Sequence, residues 1–381
     1  MVSAPRISIL MPTHNRVDVI GIAIESVLSQ TFGDFELLVV GDGCVPGTGD
    51  VVAGFKDDRI RFFDLPKAPH FGYANRNIGL REARGRLIGF AADDDILFPD
   101  HFELLAESLE GGAAMAHSQA LWVSTDGIAA PFLTNLEIPD ELEDFMERRN
   151  TIPASCFLYR ADSLPSLDVW REDLPIAADW RLWQRIIHEN PKPSVVHCRL
   201  PTLLHFTAKR KNKRNSGMPQ LSAFLDMADS SGWWPEELRV QVPEGQVEQQ
   251  AYFACLHADP QGWTAAIRRA ARDLTARVAW DNVQLFRPQL QVSEARLAVV
   301  SAKLETMRDE LASAVSQAGS FEIDLLHAIE ELNAADKEKQ TLSEHLSESL
   351  AEIERLTAEA KGMQDSLWWR LHQAITRFLR R

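Results

Sequence analysis

Short apolar runs alternate with amphipathic stretches over the first hundred residues. Ile7–Met11 is a mainly apolar run that ends at Pro12. From Val17 onward, Ile20, Ile24, Val27 and Leu28 recur at the spacing that lines one face of a helix. Phe35–Val40 reads as a buried strand stopped by Gly41-Asp42-Gly43, and Ile60–Phe63 and Leu87–Phe90 read as two more. Strands alternating with helices predict an α/β fold, with a mostly parallel sheet covered by helices on both faces. In such sheets ligands bind beyond the carboxyl ends of the strands. That directs attention to Pro12–Arg16, Gly41–Cys44 and Asp93–Asp95.

Further along, residues 101–205 continue as mixed α/β, with an apolar helix around Asp179–Ile187. Lys209, Arg210, Lys211, Lys213 and Arg214 form a basic segment, and 220–285 reads as helical, with Trp233, Trp234, Trp263 and Trp280 expected as packing anchors. From Leu297 a heptad register begins, with Leu304, Leu311, Leu332, Leu346 and Ile353 among its a positions and Val300, Met307, Leu342 and Leu356 among its d positions. Lys339 and Ser349 are its polar lapses. Such a register predicts a coiled coil, a rod on the order of 100 Å long, most simply a parallel homodimer. A helical hairpin is the alternative. The expected division is therefore 1–216 as an α/β domain, 217–289 as a helical extension, 290–363 as the coiled coil and 364–381 as a tail.

Charge sharpens this division. The 381 residues carry a formal net charge of −15, which argues against nucleic acid as a partner. Residues 290–363 hold seven basic against fifteen acidic side chains, whereas 364–381 hold four Arg and one Asp. In that tail Leu367, Trp368, Leu371 and Ile375 recur at helical spacing among Arg370 and Arg377, a pattern suited to an anionic membrane surface. Four scattered cysteines without a CxxC pair argue against a zinc ribbon or disulfide framework. No signal peptide and no membrane-spanning run is expected, so the predicted location is cytoplasmic, peripheral at the inner face of the membrane.

The chemistry concentrates at the strand ends. Asp93-Asp94-Asp95 places three like charges together, which repel unless a cation is present. Hard oxygen ligands select Mg²⁺ or Mn²⁺. Its bland alternative is a solvated acidic turn. Asp42, in a tight glycine turn, offers a carboxylate to N–H or O–H groups of a ligand. Arg76 and Asn77 precede a helix and could meet phosphate.

Taken in order, Ile7–Arg16, Glu36–Cys44, Asn75–Leu80, Gly85–Asp95 and Ala178–Trp183 resemble the motifs of the family 2 glycosyltransferases, whose fold is called GT-A, over residues 6 to about 205. The resemblance implies a Rossmann-like GT-A domain. It implies that Pro12, Thr13, Asn15 and Arg16 line a nucleotide pocket, that Asp42 holds the base, and that Arg76, Asn77, Asp93 and Lys209 contact the nucleotide sugar. It further implies that Asp93, Asp94 and Asp95, with His205, bind Mn²⁺ or Mg²⁺, and that Asp179 is the general base. Three positions depart from the family pattern: Gly41, Ala92 and Ala178 stand where acidic residues are usual. The tail, Ser366-Leu-Trp-Trp-Arg-Leu371, resembles that of some bacterial polysaccharide-assembly glycosyltransferases. The implied activity is metal-dependent, inverting sugar transfer from a nucleoside-diphosphate sugar to a glycan or lipid-linked glycan acceptor. The rival reading is a non-catalytic sugar-nucleotide-binding scaffold. A sugar-phosphate nucleotidyltransferase is disfavoured, because Met11–Val17 lacks the glycine-rich loop it would need.

Overall fold

The computed structural model describes residues 4–206, 219–317 and 322–379. The elements run β1 (Ile7–Thr13), α1 (Ile20–Leu28), β2 (Phe35–Asp42), α2 (Thr48–Gly54), β3 (Ile60–Leu65), α3 (Tyr73–Arg81), β4 (Leu87–Phe90), β5 (Ile96–Leu97) and α4 (His101–Ser108). They continue with β6 (Met115–Val123), β7 (Ala129–Phe132), α5 (Pro139–Glu147), β8 (Phe157–Arg160), α6 (Ala178–Glu189), β9 (Val195–Phe206), α7 (Pro219–Ser230), α8 (Glu248–Ala258), α9 (Pro260–Gln317) and α10 (Glu322–Leu379).

Nine strands form one sheet in the order β3-β2-β1-β4-β8-β6-β9-β5, with β7 paired to β6. The first four strands are parallel, as the alternating pattern predicts. The second half corrects the expectation of a mostly parallel sheet. There β8 runs antiparallel to both β4 and β6, β9 is parallel to β6, and β5 is antiparallel to β9. Every residue of β2 is buried, so both faces of the sheet are covered. On one of them α3 comes so close that a Cβ on Gly79 would stand 2.4 Å from Val40 Cγ2. That contact fixes the helix that carries Arg76 against the strands that end at Thr13 and Asp42.

The chain divides into two compact units, 1–271 and 272–381. In the first, α7, α8 and the start of α9 pack on the α/β body. Tyr252 Oη donates to Gly127 O at 2.9 Å, and Trp263 meets Phe98 edge-on at 6.2 Å. Of the four expected anchors, Trp234 is buried, but Trp233 and Trp280 are 41% and 61% exposed.

The second unit alters the reading of the heptads. The register is carried by two helices, and Arg308 of α9 forms an ion pair with Asp336 of α10 at 3.6 Å. Twenty-eight residues of one straight helix would hold these side chains about 40 Å apart. The chain therefore doubles back between them, and the helical hairpin replaces the continuous rod. Leu304 and Leu356 are buried, at 1% and 6% exposure. The other described a and d positions are more shielded than most of their neighbours. Among the described residues no helix is long and apolar enough to cross a membrane.

Candidate active site

The carboxyl ends of β1, β2 and β4 open onto a cleft of ≈ 390 Å³. Parallel pairing sets Thr13 beside Gly41, which brings the turn after β1 against the turn after β2. The cleft is lined by the expected Pro12, Thr13, Asn15, Arg16, Asp42, Arg76 and Asp93, together with His14, Lys67 and Phe71, which sequence reasoning missed. Lys67 follows the carboxyl end of β3, so the strand-end rule applied one strand further would have found it.

Asp42 is held as a preset acceptor. Its Oδ1 receives N–H groups from the Ala68 backbone and from Asn75 Nδ2, each at 2.7 Å, and Lys67 pairs with Oδ2. Gly72 must be glycine, because φ is 72° and a Cβ would lie 2.5 Å from the Asp42 carboxylate. A side chain at Gly41 would stand 3.1 Å from Cys44 Sγ and 3.3 Å from Phe63 O, which accounts locally for the missing acidic residue there. His14 donates from Nδ1 to Asp42 O at 2.7 Å and accepts from Asn15 Nδ2 at 3.1 Å. Asn15 Oδ1 in turn accepts from the Val45 backbone at 3.1 Å. Asn15 therefore joins two loops, and it does so from left-handed backbone at φ 56°.

Arg76 lies over the rings of Tyr73 at 5.1 Å and Trp170 at 4.6 Å. Its Nε has no hydrogen-bond partner among the described residues. Burial lowers its pKa, against the raising effect of Tyr73, Asp179, Asp93 and Asp42. Among the described residues it is a cation placed by aromatic faces rather than by a salt bridge, with Nε left for an anion. Asn77 does not join it. Its Nδ2 donates to Trp170 O and Glu172 Oε1, both at 2.9 Å, and its Oδ1 accepts from Trp170 N at 3.0 Å. Residues two apart on a helix point roughly 200° apart, so Asn75 reaches Asp42 while Asn77 secures the 170–172 segment.

The three aspartates separate into two kinds. Asp95 is 2% exposed. Ser155 Oγ donates to its Oδ2 at 2.5 Å, and His205 Nδ1 donates to its Oδ1 at 2.8 Å. Each Asp95 oxygen thus has one donor, and the carboxylate orients His205. Asp93 and Asp94 keep side-chain exposures of 13% and 15% and face Arg16, whose Nη2 lies 2.9 Å from Asp94 Oδ2. Burial, then the charge of Asp94, raises the Asp93 carboxyl to about 7. Burial and Asp95 likewise raise Asp94. Two crowded carboxylates, one lining the cleft and both against Arg16, are a hard-oxygen donor set that a divalent cation would relieve. Among the described residues no three His, Cys, Asp or Glu side chains converge on one point. Two protein carboxylates with the remaining positions left open is the arrangement Mg²⁺ adopts with phosphates.

Asp179 stands half-buried in the first turn of α6, just after Ala177 in left-handed backbone at φ 60°. It does not line the cleft itself, but its charge acts on both Arg76 and Tyr73. Lys209 and the basic segment around it lie outside the described residues.

The profile of the family described as Glycosyl transferase family 2 matches residues 8–164. An uncharacterized glycosyltransferase of Rickettsia felis is 26% identical over 192 residues, 49% of this chain and 31% of that protein. A UDP-Glc:alpha-D-GlcNAc-diphosphoundecaprenol beta-1,3-glucosyltransferase of Escherichia coli is 31% identical over 133 residues, 35% of this chain and 52% of that one. The chain thus spans between about a third and a half of these relatives' lengths. The solved structure of S. aureus TarS 1–349 with UDP-GlcNAc aligns at 18% identity and a TM-score of 0.43, over 53% of this chain and 59% of that one. Strand-end motifs, cleft and profile thus agree in likening residues 8–164, less than half of the chain, to glycosyl transferase family 2.

Proposed function

We propose that the protein is a divalent-cation-dependent, inverting glycosyltransferase that moves a sugar from a nucleoside diphosphate to a hydroxyl of a growing glycan. The observation that carries this reading is the grouping of Asp42, Arg76 and Asp93 around one cleft, with Asp94 paired to Arg16 of the same cleft and Asp179 near enough to act on Arg76. Asp42 accepts the N–H of the base. Arg76 meets the diphosphate, its Nε having no partner among the described residues. Asp93 and Asp94 would hold Mn²⁺ or Mg²⁺, which would offset the negative charge that gathers on the departing diphosphate.

Asp179, as carboxylate, takes the proton from the acceptor hydroxyl as its oxygen attacks the anomeric carbon. The attack comes from the side opposite the diphosphate, so a single displacement inverts that carbon. The E. coli relative's lipid-linked acceptor supports a lipid-linked glycan as acceptor here too, reached from the inner face of a membrane. Docking by the basic, Trp-bearing tail belongs to the same proposal.

A panel of nucleoside-diphosphate sugars with and without Mn²⁺ tests the reading. Cation-dependent release of the nucleoside diphosphate from one of them, with inverted anomeric configuration in the product, is the expected outcome. Binding without any turnover would favour the scaffold.

A further inference from the structure

Two arginines share the cleft and are held in opposite ways. Arg76 is fixed over two aromatic rings, and among the described residues it makes no ion pair with a carboxylate. Arg16 is already engaged, with Nη2 2.9 Å from Asp94 Oδ2 and Nε 4.0 Å from Asp93 Oδ1. Its partners are largely shielded, whereas its own side chain is 34% exposed and extends from the loop between β1 and α1. The guanidinium therefore lies on the carboxylates that the proposed cation needs, and it is the group with room to move.

We infer that Arg16 is the resident counter-cation of the Asp93–Asp94 pair and that it changes partner, from Asp94 to the diphosphate, when a divalent cation and a nucleotide enter together. The inference rests on the glycosyl transfer reading above. Charge bookkeeping requires some such exchange. A divalent cation on Asp94 would repel a guanidinium left at its present distance. A diphosphate arriving in the same cleft offers that guanidinium two oxygens for its planar fork. After the exchange every cation still faces an anion. Without a nucleotide, an entering cation must drive Arg16 into water with no new partner. Arg16 therefore makes the empty site resist cations alone and accept them with nucleotide, a coupling that must act equally in both directions.

The test titrates the full chain with Mn²⁺ alone, followed by electron paramagnetic resonance, and then with Mn²⁺ plus the nucleoside diphosphate that binds tightest in the panel above. In Arg16→Gln, Mn²⁺ alone should bind about tenfold tighter than in the wild type, as expected when a partly shielded competitor is removed. The enhancement of Mn²⁺ affinity by nucleotide should shrink by a similar factor. Arg16→Lys keeps the charge but loses the fork. It should hold Mn²⁺ as weakly as the wild type and still lose part of the enhancement, which gives a second reading if the Gln variant unfolds. Unchanged or weaker binding of Mn²⁺ alone in Arg16→Gln, with nucleotide-dependent Mn²⁺ binding intact in the wild type, overturns the exchange and leaves the enzyme reading standing. If wild type binds no Mn²⁺ even with nucleotide, both readings fall.

Discussion

On α3 two asparagines two positions apart face different tasks, and they separate binding from stability. Asn75 joins the cradle of Asp42, whereas Asn77 makes three hydrogen bonds to the 170–172 segment. Asn75→Ala should weaken nucleotide binding about tenfold, because Asp42 loses a donor that orients it. Asn77→Ala should lower stability by about 1–3 kcal/mol through the unpaired backbone it leaves, with a smaller effect on nucleotide affinity. Calorimetry and thermal melting on both variants separate these outcomes. Gly72→Ala is predicted to abolish nucleotide binding, since its Cβ would press on the Asp42 carboxylate. At this scale the strand-end residues were legible in the sequence, because strand, turn and acid come in one contiguous run. Whether Asn75 or Asn77 faces the cleft depends on helical phase, and Asp95 differs from Asp93 and Asp94 only through Ser155 and His205, residues distant in sequence.

At the scale of elements, the junction of β5, α4 and β9 carries a buried histidine that ties stability to pH. His101 is fully buried, its Nδ1 bonded to Thr202 Oγ1 at 2.7 Å, and burial pushes its pKa down to about 3. The unfolded histidine takes a proton near pH 6.5, so below that pH the unfolded state binds a proton that the folded state refuses. The contribution is whole above about pH 6.5 and is lost as pH falls toward 3. Relative to His101→Gln, the wild type should lose about 2 kcal/mol between pH 7 and pH 5, read by urea unfolding at each pH. A difference that stays constant over that interval would contradict the assignment. The first four strands were legible because each is a short apolar run closed by a turn. The mixed half was not, since nothing in a period of two states whether β9 lies parallel or antiparallel to β6.

Across the whole molecule, the heptad register was readable and its partner was not. The same a and d spacing suits a second copy or the next helix of the same chain, and the approach of Arg308 to Asp336 reveals the hairpin. Leu304→Ala should cost about 2–4 kcal/mol in the second unit, as for other buried leucines. Circular dichroism would show an earlier loss of helix, while nucleotide affinity in the first unit stays as it is.

The most direct measurement is calorimetric titration of nucleoside diphosphate with Mn²⁺ into the wild type, Asp94→Ala and Asp179→Asn, alongside a transfer assay. Both variants should lose transfer, but only Asp94→Ala should lose most of the cation-dependent binding. Equal loss of binding in the two, or full transfer by Asp94→Ala, would contradict the division of labour between the acidic strand end and the base on α6.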